Sequence, residues 1–201
     1  IRNGVNLDTL IVKDHNFRQH YGIHGDFLLF LGRFSKVKGI DILLDAIKIL
    51  NNKHKLKNIK IVIMGVDFGY ESEMFQIIKK LDLEDKVTVI KKPPREYVLS
   101  AYQECKFLIL PSRWELSPLT PLEGFAFKKA VISTNAHGIP YTLDNRKNSI
   151  LVEPNNPKEL ANAILELLDN NELCSNYGIN GYNLVHSLCN SRTMATKTFE
   201  L

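Results

Sequence analysis

Cysteine is scarce in this chain: there are three, Cys105, Cys174 and Cys189, an odd number with no Cys-x-x-Cys among them. Neither a disulfide framework nor a zinc site is indicated, and a reducing cytoplasm is the expected compartment. No apolar run approaches the roughly 18–20 residues that span a bilayer. Gly-x-Gly-x-x-Gly is missing after the first strand-like run, which argues against a dinucleotide-binding dehydrogenase domain. Asp-x-Asp is missing too, so nothing signals a metal that carries phosphate. No aromatic platform or known nucleic-acid motif accompanies the basic residues, which makes nucleic acid a poor partner. There is no internal repeat and no low-complexity tract. What remains is an ordinary globular composition: 201 residues, 44% hydrophobic, 24% charged, with a net charge of +4. That is enough apolar material for one full core, and residues 1–201 read as one domain.

The coarse pattern alternates. Strand-like apolar runs are predicted at 27–31, 59–64, 86–90, 107–110, 130–133 and 150–152, and helical periodicity at 39–51, 71–81, 95–104, 118–127, 157–168 and 172–188. Strands alternating with helices of this length imply βαβ units, hence an α/β fold with a doubly wound parallel sheet of Rossmann-like type. Asn155-Asn156-Pro157 marks a helix start with Pro157 at its first position. Residues 190–201 read as a short, loose helical tail.

The most informative segment is 111–131, PSRWELSPLTPLEGFAFKKAV. It follows the apolar run CKFLIL, so its order is strand, loop, helix. Ser117-Pro118 reads as an N-cap followed by the first helical residue. A helix start fed by a strand end presents free amides and a positive dipole end to an anion. Leu119 and Thr120 lie in that first turn. Glu123 stands one turn further on the same face, where a carboxylate accepts from sugar hydroxyls. Glu115 stays on the loop. Two acids flanking an anion cradle suit a ligand with phosphates in the middle and hydroxyl-rich rings at both ends. On a second strand-to-helix loop, Gly32-Arg33 and Lys36-x-Lys38-Gly39 supply cations where open parallel sheets bind ligands. There Arg33 can fork onto phosphate oxygens, and Lys38 supplies a point charge.

With these residues the segment resembles the acidic motif of retaining glycosyltransferases of the GT-B architecture, in the large group often called family 4. The resemblance implies that the chain is the donor-binding, C-terminal half of such an enzyme, with Glu115 toward the donor sugar and Glu123 on the nucleotide ribose. Leu116-Ser117-Pro118 stands where many members have Gly-Phe-Gly, and Leu119-Thr120 is closer to the glycogen and starch synthases. Asn3-Gly4-Val5-Asn6 resembles the opening of the family's C-terminal domain, which implies an acceptor-binding N-terminal partner domain not included in this sequence. Gly65-Val66-Asp67-Phe68-Gly69 resembles the Gly-rich turn beside the nucleotide. Residues 135–140, with His137 and Gly138, resemble the Gly-Gly-x-Pro-Glu element near the sugar, with His137 replacing its first glycine and Tyr141 its Glu. Residues 144–152 parallel the family's Asp-Gly-x-Asn-Gly-x-Leu-Val, with Asn145 and Ser149 at the glycine positions.

The expected function is transfer of a sugar, with retention, from a nucleoside-diphosphate-sugar donor. The expected catalytic residues are Glu115, Arg33 and Lys38. The expected substrate-binding residues are Glu123, Leu119, Thr120, Ser117, Gly32, Gly65, His137 and Gly138. No metal and no cofactor are expected. Arg33, Lys38 and the amides near Leu119 and Thr120 meet the charge of the departing diphosphate. Glu115 reads either as a double-displacement nucleophile or, as the family implies, as a hydroxyl-orienting group. Other readings stay open: a sugar-nucleotide epimerase of the same architecture, or a non-catalytic sugar-nucleotide-binding module. A phosphorylase lacks a local pyridoxal-phosphate lysine signature. Two basic clusters remain. Lys53, Lys55, Lys57 and Lys60 form a connector away from the ligand, which leaves a weak attraction to a lipid surface open. Lys91, Lys92 and Arg95, in KKPPR, follow a strand end and so face the site.

Overall fold

The computed structural model describes residues 2–12, 16–56 and 58–200. Six strands, β1 (Asp26–Leu31), β2 (Ile59–Gly65), β3 (Val87–Lys91), β4 (Leu108–Leu110), β5 (Val131–Thr134) and β6 (Ser149–Val152), form a parallel sheet in the order β3-β2-β1-β4-β5-β6. Nine α-helices are described: α1 (Phe17–Tyr21), α2 (Ile40–Asn52), α3 (Glu71–Lys80), α4 (Arg95–Glu104), α5 (Leu119–Ala126), α6 (Ile139–Thr142), α7 (Pro157–Asp169), α8 (Asn171–Ser187) and α9 (Ser191–Phe199). The sheet is the doubly wound α/β arrangement expected.

The strands are apolar because both faces of the sheet are covered. Leu28, Phe30, Ile61 and Ile63 point into a core completed by α2, α3 and α7. Their neighbours Phe27, Leu29, Val62 and Met64 point into a second core with α4, α5 and α8. This period-two division is the strand geometry itself. Asn156 caps α7, its side chain accepting from the Glu159 amide at 3.1 Å, and Pro157 occupies the first turn as expected. Among the described residues, no helix is long and apolar enough to cross a membrane.

The strand order decides where a ligand fits. From β1 the chain winds outward through β2 to β3, crosses back to β4 and winds the other way. Loops after β1 and β4 therefore diverge to opposite faces and leave a crevice at their C-terminal ends, the usual ligand position in such sheets.

Three details depart from the sequence reading. Ser117 does not cap α5: Pro118 is the N-cap residue, extended at φ −70°, ψ 133°, and no side chain caps the helix. The tail is not loose at its root, because Val5 N–H donates to the Cys189 carbonyl at 2.9 Å and Ser191 N–H to the Val5 carbonyl at 2.9 Å. Beyond this pairing no residue of α9 is buried. The short α1 and α6 were not anticipated, since helices of 5 and 4 residues carry no readable period. In the first basic cluster, Lys53, Lys55 and Lys60 lie at the N-terminal edge of the sheet, opposite the crevice; Lys57 lies outside the described residues.

Candidate donor site

The loop leaving β1 runs over Gly32 and Arg33 into a 3-10 turn, Lys36–Lys38, ended by Gly39 in the left-handed conformation. The loop leaving β4 carries Ser112, Arg113 and Glu115 and ends at α5. These two loops meet across the crevice. Arg113 N–H donates to the Val37 carbonyl at 2.8 Å. The Arg113 guanidinium forks onto Asp41 of α2 at 2.8 and 2.7 Å, donates to the Lys36 carbonyl, and reaches Asn155 Oδ1 at 2.6 Å. A bidentate pair of this kind fixes geometry as well as charge. It holds the Lys38 turn against the β4 loop.

Lys38 Nζ and Glu115 Oε1 consequently form an ion pair, with side chains only 13% and 12% exposed. Ser112 Oγ donates to the same Glu115 oxygen at 3.1 Å, and Thr134 Oγ1 donates to the Ser112 carbonyl at 2.6 Å. The Glu115 backbone is held as well, its carbonyl accepting from Gly138 N–H at 2.9 Å. Two of the expected catalytic residues thus touch, and the expected sugar-side loop is tied to one of them.

The glycines at this rim are set by close backbone approach. A Cβ on Gly138 would lie 1.6 Å from the Leu116 carbonyl oxygen, and one on Gly65 would lie 1.8 Å from that of Gly32. No side chain fits at either distance. His137, at φ 46°, is beside the ring of Trp114 at 5.9 Å between centroids.

The start of α5 has an unusual donor count. The first turn of a helix leaves four amides without intrahelical partners. Here two of those positions are Pro118 and Pro121, which have no N–H. Leu119 and Thr120 keep the remaining pair, at the end of α5 that the β4 loop feeds. The Ser117 carbonyl accepts from Asn3 Nδ2 at 3.3 Å, which ties the amino-terminal segment to the same loop.

Arg33 is exposed, and its guanidinium stands 5.0 Å from the Phe68 ring centroid on the loop after β2. Asp67 on that loop accepts from the Tyr70 and Glu71 amides at 2.9 Å each, and these bonds hold its carboxyl below the usual range. Glu123 lies one turn along α5. Arg95 donates to its Oε1 at 2.7 Å and Tyr102 O–H to its Oε2 at 2.8 Å. Burial, with Glu123 beside it, pushes the Tyr102 phenol well above its ordinary value, so it remains a donor. Ser112, Arg113, Tyr102 and Arg95 were not among the expected site residues. For Arg95 a signal existed, since KKPPR was read as facing the site.

A doubly wound parallel sheet whose loops after β1 and β4 meet at the switch point defines a class, the Rossmann-like α/β domains. The profile of the family glycosyl transferases group 1 matches residues 14–184, and the chain belongs to that family. It is 34% identical over 185 residues to an uncharacterized glycosyltransferase of Methanocaldococcus jannaschii, covering 90% of this chain and 46% of that protein. The chain spans half or less of the length of the relatives it matches in sequence. Among solved structures it resembles HepE of Anabaena in complex with UDP and glucose, at TM-score 0.85, 21% identity, 98% of this chain and 54% of that one. It also resembles the C-terminal domain of a glycosyl transferase group 1 family protein from Francisella tularensis, at TM-score 0.79 and 23% identity. That likeness covers 94% of this chain and 100% of the other. The fold is therefore that of one GT-B half.

Proposed function

We propose that this chain is the donor-binding half of a retaining glycosyltransferase that takes a sugar from a nucleoside diphosphate. The observation that carries the reading is the contact of Lys38 with Glu115 across the switch point, on the loop that leads into α5. Diphosphate would lie over Leu119 N–H and Thr120 N–H, with Lys38 and Arg33 as its counter-charges. The anomeric bond breaks with oxocarbenium character while negative charge gathers on phosphate, and preorganised cations and amides stabilise that charge most where water is excluded. Glu115, braced by Lys38 and Ser112, would orient hydroxyls of the donor sugar, and Glu123 would receive the ribose. His137 and Gly138 border the sugar end. The structural likeness to a protein solved with UDP and glucose supports a nucleotide-sugar donor. Acceptor recognition would fall to a further domain of the longer enzyme.

Calorimetric titration of the protein with UDP, GDP and ADP, and with their common sugar conjugates, tests this. At least one of them binds, and Glu123→Ala weakens it by about tenfold or more, the usual weight of a charge-assisted hydrogen bond. Binding of none of them, or binding untouched in both Glu123→Ala and Lys38→Ala, defeats the proposal.

A further inference from the structure

Glu123 is held from two unlike sides. Tyr102, which grips Oε2, is fully buried, and its ring stacks on Phe127 at 5.7 Å with 10° between planes. It is a fixed anchor. Arg95, which grips Oε1, is half exposed and belongs to the first turn of α4, directly after Pro93-Pro94. Of the three cations in KKPPR, Lys91 is engaged with Glu71 at 2.9 Å, and Arg95 is the one brought to Glu123.

An ionised carboxylate offers about four acceptor sites, two on each oxygen. Arg95 and Tyr102 take one on each oxygen, so one on each is left for a ligand. Those two sites suit the paired hydroxyls of a ribose, provided the carboxylate cannot rotate. Tyr102 alone leaves it free to turn about the Oε2 contact. Arg95 removes that freedom and keeps a positive charge beside the acid.

On the reading of Glu123 as the ribose acceptor, we propose that Arg95 is a positioning residue for nucleotide recognition: it locks Glu123 so that the site selects ribonucleotides over 2′-deoxyribonucleotides. Arg95 acts through Glu123 and leaves the reacting atoms untouched.

The test is equilibrium binding of UDP, GDP and ADP, each against its 2′-deoxy counterpart, with folding checked by thermal melting. Wild type prefers the ribo form by about tenfold, and Glu123→Ala abolishes that preference. Arg95→Ala reduces it to within about threefold while the diphosphate still binds. Arg95→Lys restores part of it, and Tyr102→Phe, which keeps the buried ring, reduces it as Arg95→Ala does. A merely structural role for Arg95 would weaken both forms alike and leave the ratio unchanged, and that result overturns the inference. Tighter binding of the ribo form by Arg95→Ala also overturns it, since Arg95 would then be blocking the ribose. If wild type shows no ribo preference, or binds none of the three diphosphates, the reading of Glu123 fails first and this inference falls with it.

Discussion

At Lys38 and Glu115 two opposite charges share a space from which water is largely shut out. Removing one partner strands the other in a low-dielectric setting, which costs more than the pair itself contributes. Lys38→Met should therefore lower unfolding free energy by about 3 kcal/mol, measured by chemical denaturation, and Glu115→Gln in the same chain should recover most of the loss. Additive losses in the double variant would show that the two side chains do not depend on each other. Glu115 and Lys38 were legible in the sequence because strand-to-helix loops after apolar runs are where this kind of sheet places ligands. Their contact was not legible. It depends on Arg113 pinning one loop to α2 through Asp41, 72 residues away in the chain, and no spacing rule reaches that far. Tyr102 was hidden for a different reason: a buried tyrosine on a helix face reads as core until its hydroxyl partner is known.

The elements themselves were readable because strands covered on both faces become plain apolar runs, and all six strands fell within a residue or two of the expected bounds. The six expected helices began within a residue of their expected starts, and what was misread was the capping of one. Ser-Pro before an apolar run looks like a capped first turn, yet the chain stays extended through Pro118 and the helix begins at Leu119. Pro118 and Pro121 thin the amides there to one neighbouring pair. Gly138 links the short α6 to the β4 loop, and its role follows from contact with backbone. Gly138→Ala would drive a methyl against the Leu116 carbonyl and part the Gly138 amide from Glu115. We expect a loss of stability on the order of 2 kcal/mol by denaturation, together with weaker nucleotide-sugar binding, because the loop carrying Glu115 shifts. A stable variant with unchanged binding would show that this loop tolerates displacement.

For the molecule as a whole, the order β3-β2-β1-β4-β5-β6 sets the crevice between the loops after β1 and β4, and everything placed there follows from winding direction. The alternation of strands and helices implied that winding. It did not show that the amino-terminal segment folds back to join the far end of the chain. Val5 is buried in the second core and is hydrogen-bonded on both sides to residues 189 and 191. Since α9 buries nothing of its own, removal of residues 2–6 should speed amide exchange in α9 by about tenfold, as read by mass spectrometry, and by more than in the central strands. Equal exchange before and after truncation would mean that α9 is held by something else. Val5 and Asn190 run in the same direction where they bridge. A pull applied between the two ends of the domain would thus shear this clasp lengthwise, straining both of its hydrogen bonds together before tension reaches the sheet, so the clasp would act as the domain's mechanical fuse.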